Sequence, residues 1–447
     1  MIEEKKPLEF DLTAPQLNLN GKQVVATREE FYTNYPFFKY WRSEFNSKLF
    51  SLPGINIYIH IPYCIQICDY CFYNKELIKS KGQVDEYISY LCKEIALLSE
   101  RLSLKRRPVN SVYIGGGTPS VLSEKQFKTL VNCLHQHHTI ENPEFTFEAE
   151  PGTFSKSKLQ WYKESGINRI SMGVQSFDDE VIRLSSRKHT SAQAINSIEM
   201  VKDIGGFSVN IDLLSGLAGE TLTTWGKSVD TALQQPIDLL TIYKMKSYAN
   251  TTFFKEGVHK NNIQLPSETE EIEFMWRAYN KLKDAGYKRW STFAYTKNET
   301  IHSYAENTWR GQDLVAYGVS SFGKLGNLNY QNLNATKLYY ERIDKNEIPI
   351  QRSYHLSMKD QITKELLLCN ARLTSYKKSE FCQKFGFDYF NLIPEVIEEL
   401  VSKDFITKET NELVLTDRGV VFGDFVSRVL AESVKDALGK DSIGFVY

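Results

Sequence analysis

Residues 57–73 read IYIHIPYCIQICDYCFY. An apolar, β-branched run leads into three cysteines, Cys64, Cys68 and Cys71, with the spacing C-x3-C-x2-C. A structural zinc site needs four ligands, which often come as two C-x2-C pairs. Three thiolates on one short loop can instead bind three irons of a [4Fe–4S] cluster and leave the fourth iron open for a small molecule. The spacing therefore predicts an iron–sulfur cluster on a loop that follows a strand.

The composition limits the class of protein. The length of 447 residues corresponds to about three domains, or to one large barrel with an extra module. The net charge of −1 does not favour nucleic acid as a partner. We find no run of about 18 apolar residues and no signal-peptide pattern, so we expect a cytoplasmic protein with no membrane partner. We also expect a monomer. The four remaining cysteines, Cys92, Cys133, Cys369 and Cys382, are expected to be reduced and buried.

Strand-like and helix-like runs alternate from residue 57 onward. The strand-like runs cover residues 57–62, 111–114, 144–150, 169–174, 208–214 and 239–246, and the helix-like runs cover 84–102, 124–138, 156–165, 192–204 and 223–233. Successive βα units form a parallel sheet with helices outside, and right-handed crossovers curl it into a barrel. The predicted fold class is α/β: a partial (β/α)6 TIM-like barrel with a C-terminal, mostly helical, winged-helix-like domain.

Four segments are predicted along the chain. They are an aromatic lead-in that caps the barrel (1–50), the partial barrel (51–300), a closing segment (301–356) and the C-terminal helical domain (357–447). The lead-in contains FYTNYPFFKYWRSEF, which must pack on something, either to plug an open barrel edge or to cap a pocket. Further along the chain we expect a helix at 268–286, a strand at 288–297 and a loop-rich stretch at 303–330. The C-terminal domain is expected to contain a hairpin at 405–415 and a last helix at 418–437, and its mixed charges do not favour DNA binding.

Chemistry in a parallel barrel lies at the carboxyl ends of the strands. The second strand-like run ends in Gly115, Gly116 and Gly117, followed by Thr118. Glycines let a backbone approach a ligand closely, and their N–H groups could bind a carboxylate. Glu148, at the third strand end, could bind ribose hydroxyls or an amino group, and the alternative is a strand-end charge in water.

Polar residues also mark the fourth and fifth strand ends. Gln175 closes SMGVQSF, and Arg187 follows twelve residues later. An amide and a guanidinium could together hold the carboxylate of an amino acid. Asp212 is an acid inside the apolar run VNIDLL, where a buried carboxylate is costly without a cation or a hydrogen-bonding partner. We therefore expect Asp212 to belong to the site.

Several histidines and tyrosines have competing interpretations. His60, on the strand before the cysteines, is expected to satisfy a hydrogen bond in the core rather than to act as a ligand or base. Tyr58 lies two residues earlier on the same strand face, so its hydroxyl could point into the barrel. The group His135, His137 and His138 is expected on a solvated helix face rather than at a metal site.

Together, HIPYC-IQI-C-DY-C, GGGTPS, EAEPGT, SMGVQSF and NIDLLSGL resemble radical SAM enzymes. More narrowly, residues 30–435 resemble the oxygen-independent coproporphyrinogen III oxidase family, which includes heme chaperones and radical SAM methyltransferases and cyclopropanases. The YTNYP of the lead-in is close to that oxidase's YTSYP. The resemblance implies a [4Fe–4S] cluster whose open iron binds S-adenosylmethionine (SAM). One electron, from a donor such as flavodoxin or ferredoxin, then cleaves SAM to methionine and a 5′-deoxyadenosyl radical.

The resemblance also implies roles for individual residues. Cys64, Cys68 and Cys71 would ligate iron. Tyr58, Gly116, Glu148 and Phe322 would contact the first SAM. The positions that match those around a second SAM are Tyr70, Gly117, Thr118, Gln175, Arg187, Asp212 and Lys246. Tyr58 and Tyr73, which flank the cysteines, are the candidate catalytic residues.

Three positions depart from the oxidase. Tyr73 stands where the oxidase has a fourth cysteine, Phe31 where it has an arginine, and Lys246 where it has an alanine. These departures leave the cluster intact but put oxidative decarboxylation in doubt. We therefore expect the second SAM to donate a methyl or methylene group to a tetrapyrrole or another conjugated ring. The alternatives are a coproporphyrinogen III oxidase and a heme-binding chaperone.

Overall fold

The computed structural model describes residues 15–19, 22–26, 35–42, 54–369, 372–409 and 411–439. Six neighbouring parallel strands form the barrel wall, in chain order. They are Ile55–Ile61, Val109–Gly116, Glu144–Ala149, Arg169–Gln175, Ser208–Ser215 and Leu239–Lys244. The predicted fold class is confirmed, and the last strand ends two residues earlier than expected.

The first barrel strand shows why these runs form the wall. Ile55, Ile57, Ile59 and Ile61 are completely buried under the outer helices. Side chains alternate between the two faces of a strand, so the residues between these isoleucines, which include Tyr58 and His60, face the barrel interior. Both faces are covered, as is usual for parallel sheets.

Helices cover the outside of the sheet. Their bounds are Lys81–Arg101, Glu124–His137, Lys156–Glu164, Asp179–Leu184, Ser191–Ile204, Leu222–Leu233 and Glu268–Asp284. Ser123, Thr190 and Thr221 each begin a helix with a capping box, which fixes where the preceding loop ends.

The prediction of a solvated histidine group is wrong for His138. The helix ends at His137, and the backbone of His138 is extended. The His138 side chain is therefore buried, and its Nε2 lies 2.9 Å from the hydroxyl of Tyr317. His135, on the helix itself, is exposed as expected.

The segment after the barrel is more regular than predicted. In place of one strand at 288–297, the chain forms two short antiparallel strands, Lys288–Arg289 and Ala294–Thr296, because it turns back between them. The supposedly loop-rich stretch contains a helix, Ser303–Trp309, and a strand, Leu314–Tyr317, which pairs in parallel with the first barrel strand. Three antiparallel strands then extend the sheet, with a helix inserted before the last: Phe322–Leu325, Leu328–Asn332, Thr336–Asp344 (helix) and Ile350–His355.

The C-terminal part of the chain has its own apolar core. Its helices are Met358–Lys364, which continues into a π-helical turn at Glu365–Cys369, then Lys378–Phe385, Tyr389–Leu392, Pro394–Ser402, Asp417–Val421 and Gly423–Ala437. Three short strands, Ser375–Lys377, Ile406–Lys408 and Glu412–Leu415, form a small antiparallel sheet that includes the predicted hairpin. The predicted last helix is interrupted at Phe422, which lies between two helices.

The described parts of the lead-in lie against the C-terminal part and the antiparallel strands. Gln16–Leu19 and Lys22–Val25 form a hairpin, and Arg428 Nη2 donates to Val25 O at 2.8 Å. Asn329 Nδ2 donates to Tyr35 O at 3.0 Å. Phe31 lies outside the described residues. Among the described helices, none combines the length and apolar character needed to cross a membrane.

Candidate functional site

The three cysteines lie on the loop that follows the first barrel strand. Cys64 is buried, and Cys68 and Cys71 are half-buried. Burial raises the pKa of the Cys64 thiol to about 11, so a bound cation is needed to hold it as a thiolate. Among the described residues, no three metal-ligating side chains converge closely enough to hold one ion. Ligands of a [4Fe–4S] cluster each bind a different iron, so this loop fits a cluster better than a single ion.

The glycine turn lies directly on the cysteine loop. Gly117 N donates to Ile61 O at 2.7 Å, and Thr118 N donates to Tyr63 O at 2.8 Å. A Cβ at Gly117 would lie 2.9 Å from Cys64 Sγ, which explains the glycine. The N–H groups of the turn were expected to be free for a ligand carboxylate, but Gly117 and Thr118 donate to the loop backbone, and Gly116 N donates to the Glu148 carboxylate. The turn supports the cysteine loop.

Glu148 lies inside the barrel rather than in water at a strand end. Its carboxylate accepts hydrogen bonds from Tyr113 Oη at 2.6 Å and from Gly116 N at 2.9 Å. Loss of solvation raises the pKa of Glu148 to about 7. Gly116 has a φ of +120°, which glycine tolerates and other residues rarely adopt. The alternative interpretation of Glu148, a solvated charge, is therefore wrong.

Arg187 connects the cysteine loop to two strand ends. Its Nη1 lies 2.7 Å from Tyr70 Oη and 3.6 Å from Cys68 Sγ, so the guanidinium places a positive charge beside a thiol. Its Nη2 donates to Gly173 O at 2.6 Å and lies 3.2 Å from Glu150 Oε1. A ligand carboxylate would have to compete with Glu150 for this arginine.

Glu150 and Gln66 were not singled out from the sequence. Glu150 is 9% exposed and accepts hydrogen bonds from Gln66 Nε2 and, at 3.3 Å, from Thr118 Oγ1. Gln66 lies between two of the cysteines and is buried. Together with Arg187 they link the cysteine loop, the glycine turn and the third strand. The sequence signal for Glu150 is that it is a second acid two residues after Glu148.

Asp212 has the partners that its burial requires. It accepts a hydrogen bond from Asn210 Nδ2 at 2.9 Å. Burial raises the pKa of Asp212 to about 6, while the positive charge of Arg169 opposes this rise. Arg169 is 3% exposed, and within the described residues its Nε has no hydrogen-bond partner. Asp212 was predicted to belong to the site because it is a charged residue in an apolar run. Arg169 in RISMGVQ gives the same signal but was not among the predicted site residues.

Gln175 lies at a bulge in the fourth strand. The pairing register with the fifth strand shifts between Gly173 and Gln175, and Gln175 has a φ of +69°. Non-glycine residues rarely adopt this left-handed conformation, which is typical of functional positions.

Tyr58, His60 and Asn74 form a hydrogen-bonded chain that ties the first strand to the end of the cysteine loop. His60 Nε2 lies 3.0 Å from Asn74 O, and its Nδ1 lies 3.0 Å from Tyr58 Oη. A carbonyl can only accept, so Nε2 carries the proton and Tyr58 donates to Nδ1. Burial lowers the pKa of His60 to about 4, so the ring is neutral near pH 7. The prediction that His60 satisfies a core hydrogen bond is confirmed.

Aromatic residues surround the mouth of the barrel. Tyr73 is 57% exposed, and its ring stacks on Phe72, which in turn stacks on Tyr248, with centroid distances of 4.3 and 4.1 Å. The ammonium group of Lys246 lies 5.6 Å from the Tyr248 ring. A cavity of about 480 Å³ opens beside these residues. Its lining consists of Ile67, Phe72, Tyr73, Asn74, Lys75, Asn250, Ser320 and Asn334.

Most of the candidate residues lie around the barrel mouth, but Phe322 packs on aromatic residues of the lead-in. Phe322 stacks on Phe38 of the lead-in at 5.5 Å and lies 6.4 Å from Trp41. Inside the barrel, Tyr113 lies between Tyr58, at 6.1 Å, and Tyr304, at 4.8 Å. The barrel interior is therefore lined with aromatic rings here, as the mouth is.

Comparison with known proteins agrees with this site. The profile of the radical SAM superfamily matches residues 58–232, which include the cysteine loop, most of the first barrel strand and the next four strands. The heme chaperone HemW of Bacillus subtilis is 30% identical over 373 residues, which cover 83% of this chain and 97% of that protein. The oxygen-independent coproporphyrinogen III oxidase of Pseudomonas aeruginosa is 27% identical and covers 82% of this chain and 83% of its own length.

A solved structure shares the fold. The coproporphyrinogen III oxidase HemN of Escherichia coli superposes with a TM-score of 0.78 at 22% identity, covering 91% of this chain and 97% of that one. Proteins of the radical SAM superfamily use a [4Fe–4S] cluster and SAM. The chain is therefore a radical SAM protein, and it belongs to the family that contains oxygen-independent coproporphyrinogen III oxidase and the heme chaperone HemW.

Proposed function

We propose that Cys64, Cys68 and Cys71 hold the [4Fe–4S] cluster and that this enzyme cleaves SAM there. A [4Fe–4S] cluster held there would supply the one electron needed to break the sulfonium C–S bond of SAM, which would yield methionine and a 5′-deoxyadenosyl radical. The observation that carries this proposal is that the glycine turn packs against Cys64 and the Arg187 guanidinium lies beside Cys68, both on the loop that carries the three cysteines.

In this proposal, the protein's own residues balance the charge of the thiolates and position the loop and the ligand. Arg187 offsets the negative charge of the thiolates, since its Nη1 lies 3.6 Å from Cys68 Sγ. Gly117 and Thr118 hold the loop backbone, because their N–H groups donate to Ile61 O and Tyr63 O. Glu148, whose pKa is about 7, can share a proton or accept hydrogen bonds from ribose hydroxyls. Such positioning and exclusion of water are what a radical reaction requires of a protein.

A second SAM is the finer part of the proposal. The polar side chains that we assign to it continue the lining around the proposed cluster site; they are Tyr70, Thr118, Gln175, Asp212 and Lys246. The partnerless Nε of Arg169, among the described residues, supports a further polar ligand near Asp212. Arg187 can bind the carboxylate of that ligand only by releasing Glu150. We assign this second SAM the role of methyl or methylene donor.

The substrate we propose is a tetrapyrrole or another flat conjugated ring. Stacked rings at the mouth, Phe72, Tyr73 and Tyr248, offer flat apolar surfaces of the kind that such a ring contacts. The names of two relatives refer to heme and to coproporphyrinogen, which are both tetrapyrroles. Tyr58 and Tyr73, on either side of the cysteines, are the residues we propose to contact the reacting part of the ring.

Two alternatives have support of their own. Oxidative decarboxylation of coproporphyrinogen is supported by the oxidase relative, which aligns over 83% of its length. Heme carriage without turnover is supported by the heme chaperone relative, which aligns over 97% of its length. Against the first, Tyr73 replaces the oxidase's fourth cysteine.

The experiment combines anaerobically reconstituted protein, dithionite, SAM and either heme or coproporphyrinogen. S-adenosylhomocysteine formed together with 5′-deoxyadenosine and a methylated ring is the expected result. Carbon dioxide release from coproporphyrinogen would establish the oxidase instead. Stoichiometric heme binding without any SAM cleavage would establish the chaperone. Cys68→Ala serves as the control that lacks one proposed iron ligand.

A further inference from the structure

Two of the four cysteines outside the proposed cluster site face each other on the outer helices of the barrel. Cys92 lies in the helix Lys81–Arg101, and Cys133 lies in the neighbouring helix Glu124–His137. Both are free thiols, and both are half-buried against the barrel core. Cys133 Sγ lies 3.6 Å from Cys92 O, and Cys92 Sγ lies 4.0 Å from Thr129 O, one helical turn before Cys133. Each thiol therefore reaches the helix that carries the other.

The packing of the two helices keeps these thiols aligned. Seven residues before the cysteines on each helix, Gln126 Nε2 donates to Asp85 Oδ1 at 2.7 Å. Beyond the cysteines, Ser99 Oγ donates to His137 O at 2.6 Å. Residues seven apart in sequence lie on one face of a helix, so all these residues belong to one row of contacts. The two thiols lie in the middle of this row, and hydrogen bonds fix it on both sides of them.

The environment makes the two thiols different in reactivity. The hydrogen bond from the Cys133 thiol lowers the pKa of Cys92, and the same interaction raises the pKa of Cys133. A thiolate is the form that attacks a disulfide, so Cys92 is the attacking residue of the pair. Half-burial also leaves the pair accessible to a small oxidant. Cys369, by contrast, is completely buried in the C-terminal core.

We infer that Cys92 and Cys133 form a reversible disulfide by exchange with a low-molecular-weight disulfide such as oxidised glutathione. The Cys92 thiolate attacks one glutathione sulfur, which breaks the S–S bond, forms a mixed disulfide and releases the first glutathione. Cys133 then gives up its proton, attacks Cys92 Sγ and releases the second glutathione. The two protein thiols are oxidised, oxidised glutathione is reduced to two thiols, and the two protein protons end on these thiols. This inference is independent of the proposed function.

The disulfide joins the helices that follow the cysteine loop and the glycine turn. In the helix Lys81–Arg101, which follows the cysteine loop, Tyr87 Oη donates to His60 O at 2.7 Å, on the strand that leads into that loop. The helix Glu124–His137 follows the glycine turn. A bond between residues 41 apart in sequence restricts the unfolded chain, so the oxidised protein is more resistant to unfolding than the reduced protein.

The test maps disulfides in the full chain after anaerobic incubation with oxidised glutathione, acid quenching, alkylation of the remaining thiols and digestion with trypsin. Trypsin places Cys92 on peptide 82–93, Cys133 on peptide 129–156 and all three cysteines of the cysteine loop together on peptide 49–75. The expected result is a cross-link between 82–93 and 129–156 that dithiothreitol removes. Cys92→Ser and Cys133→Ser should each abolish this cross-link. Cys382→Ser, which removes another half-buried thiol, is the matched control and should leave it intact.

A second measurement reports on the link between the helices. The urea midpoint of oxidised wild-type protein should lie above that of dithiothreitol-reduced protein, and this difference should vanish in Cys92→Ser. Absence of the cross-link at every ratio of oxidised to reduced glutathione would overturn the inference. So would glutathione that stays on Cys92 without exchange onto Cys133, or a cross-link of either cysteine to peptide 49–75. Equal urea midpoints in the two redox states, with the cross-link present, would refute the stabilising role of the bond.

Discussion

Replacing Gly117 by alanine should displace the cysteine loop. The new Cβ would lie 2.8 Å from Tyr63 O, 2.9 Å from Cys64 Sγ and 2.9 Å from the carbonyl carbon of Pro62. Ordinary contacts between such atoms are about 3.5 Å, so the overlap is about 0.6 Å at three places. Two of the three atoms belong to the backbone and cannot swing away. Overpacking of this kind costs about 1–3 kcal/mol, and here the strain falls on the proposed iron ligand.

The assay compares iron and sulfide per chain after anaerobic reconstitution, together with urea unfolding of the apoprotein. Gly117→Ala should retain less iron than the wild type and unfold at lower urea. Gly82→Ala is the matched control, because a Cβ there meets nothing within 4 Å. Gly82 lies in the first turn of a helix, where alanine is favoured by about 0.5–1 kcal/mol, so this variant should be slightly stabilised. A Gly117→Ala protein with full iron content and undiminished stability would refute the proposed packing of the turn on the loop.

Three further predictions follow from buried charges and from the cysteine loop. Burial raises the pKa of Glu94 to about 7. Between about pH 4.5 and 7 the folded state therefore binds more protons than the unfolded state. The contribution of Glu94 to stability is lost as pH rises through that window. From pH 5 to pH 8, urea unfolding should therefore show wild type losing about 2 kcal/mol of stability relative to Glu94→Gln, and a pH-independent difference would contradict this. Arg187→Met leaves Glu150 buried without its cation, so it should lower the free energy of unfolding by about 3–5 kcal/mol and reduce the iron bound after reconstitution. The control Arg183→Met removes an exposed ion pair and should change neither quantity. Tyr73→Cys should keep the wild-type iron content, since we do not assign a fourth cysteine to the cluster, and a rise in bound iron or a changed cluster spectrum would contradict that.

The barrel could be predicted from sequence because its strands are buried on both faces. Such strands appear as long apolar runs between turn residues, as in INIYIHI at Ile55–Ile61. The strand Leu314–Tyr317 was missed because it has four residues and lies inside a polar, glycine-containing stretch. Its assignment depends on pairing with a strand more than 250 residues earlier, which local pattern does not reveal.

The candidate site residues could be located from sequence, but their partners could not. Strand ends meet at one mouth in any parallel barrel, so Glu148, Gln175 and Asp212 were expected near the cysteines. The sequence does not show that Gly117 N–H is occupied by Ile61 O, or that Arg187 is occupied by Glu150. These contacts depend on the tertiary arrangement of loops, and they decide which polar groups remain for a ligand.

The central claim is that a cluster on Cys64, Cys68 and Cys71 cleaves SAM reductively. The most direct measurement is the amount of 5′-deoxyadenosine formed from SAM by anaerobically reconstituted, dithionite-reduced protein of known iron content. We predict product from wild-type protein with about four irons per chain, and none from Cys68→Ala. Fully loaded wild-type protein that forms no 5′-deoxyadenosine, or a Cys68→Ala variant that forms as much as wild type, would contradict the claim.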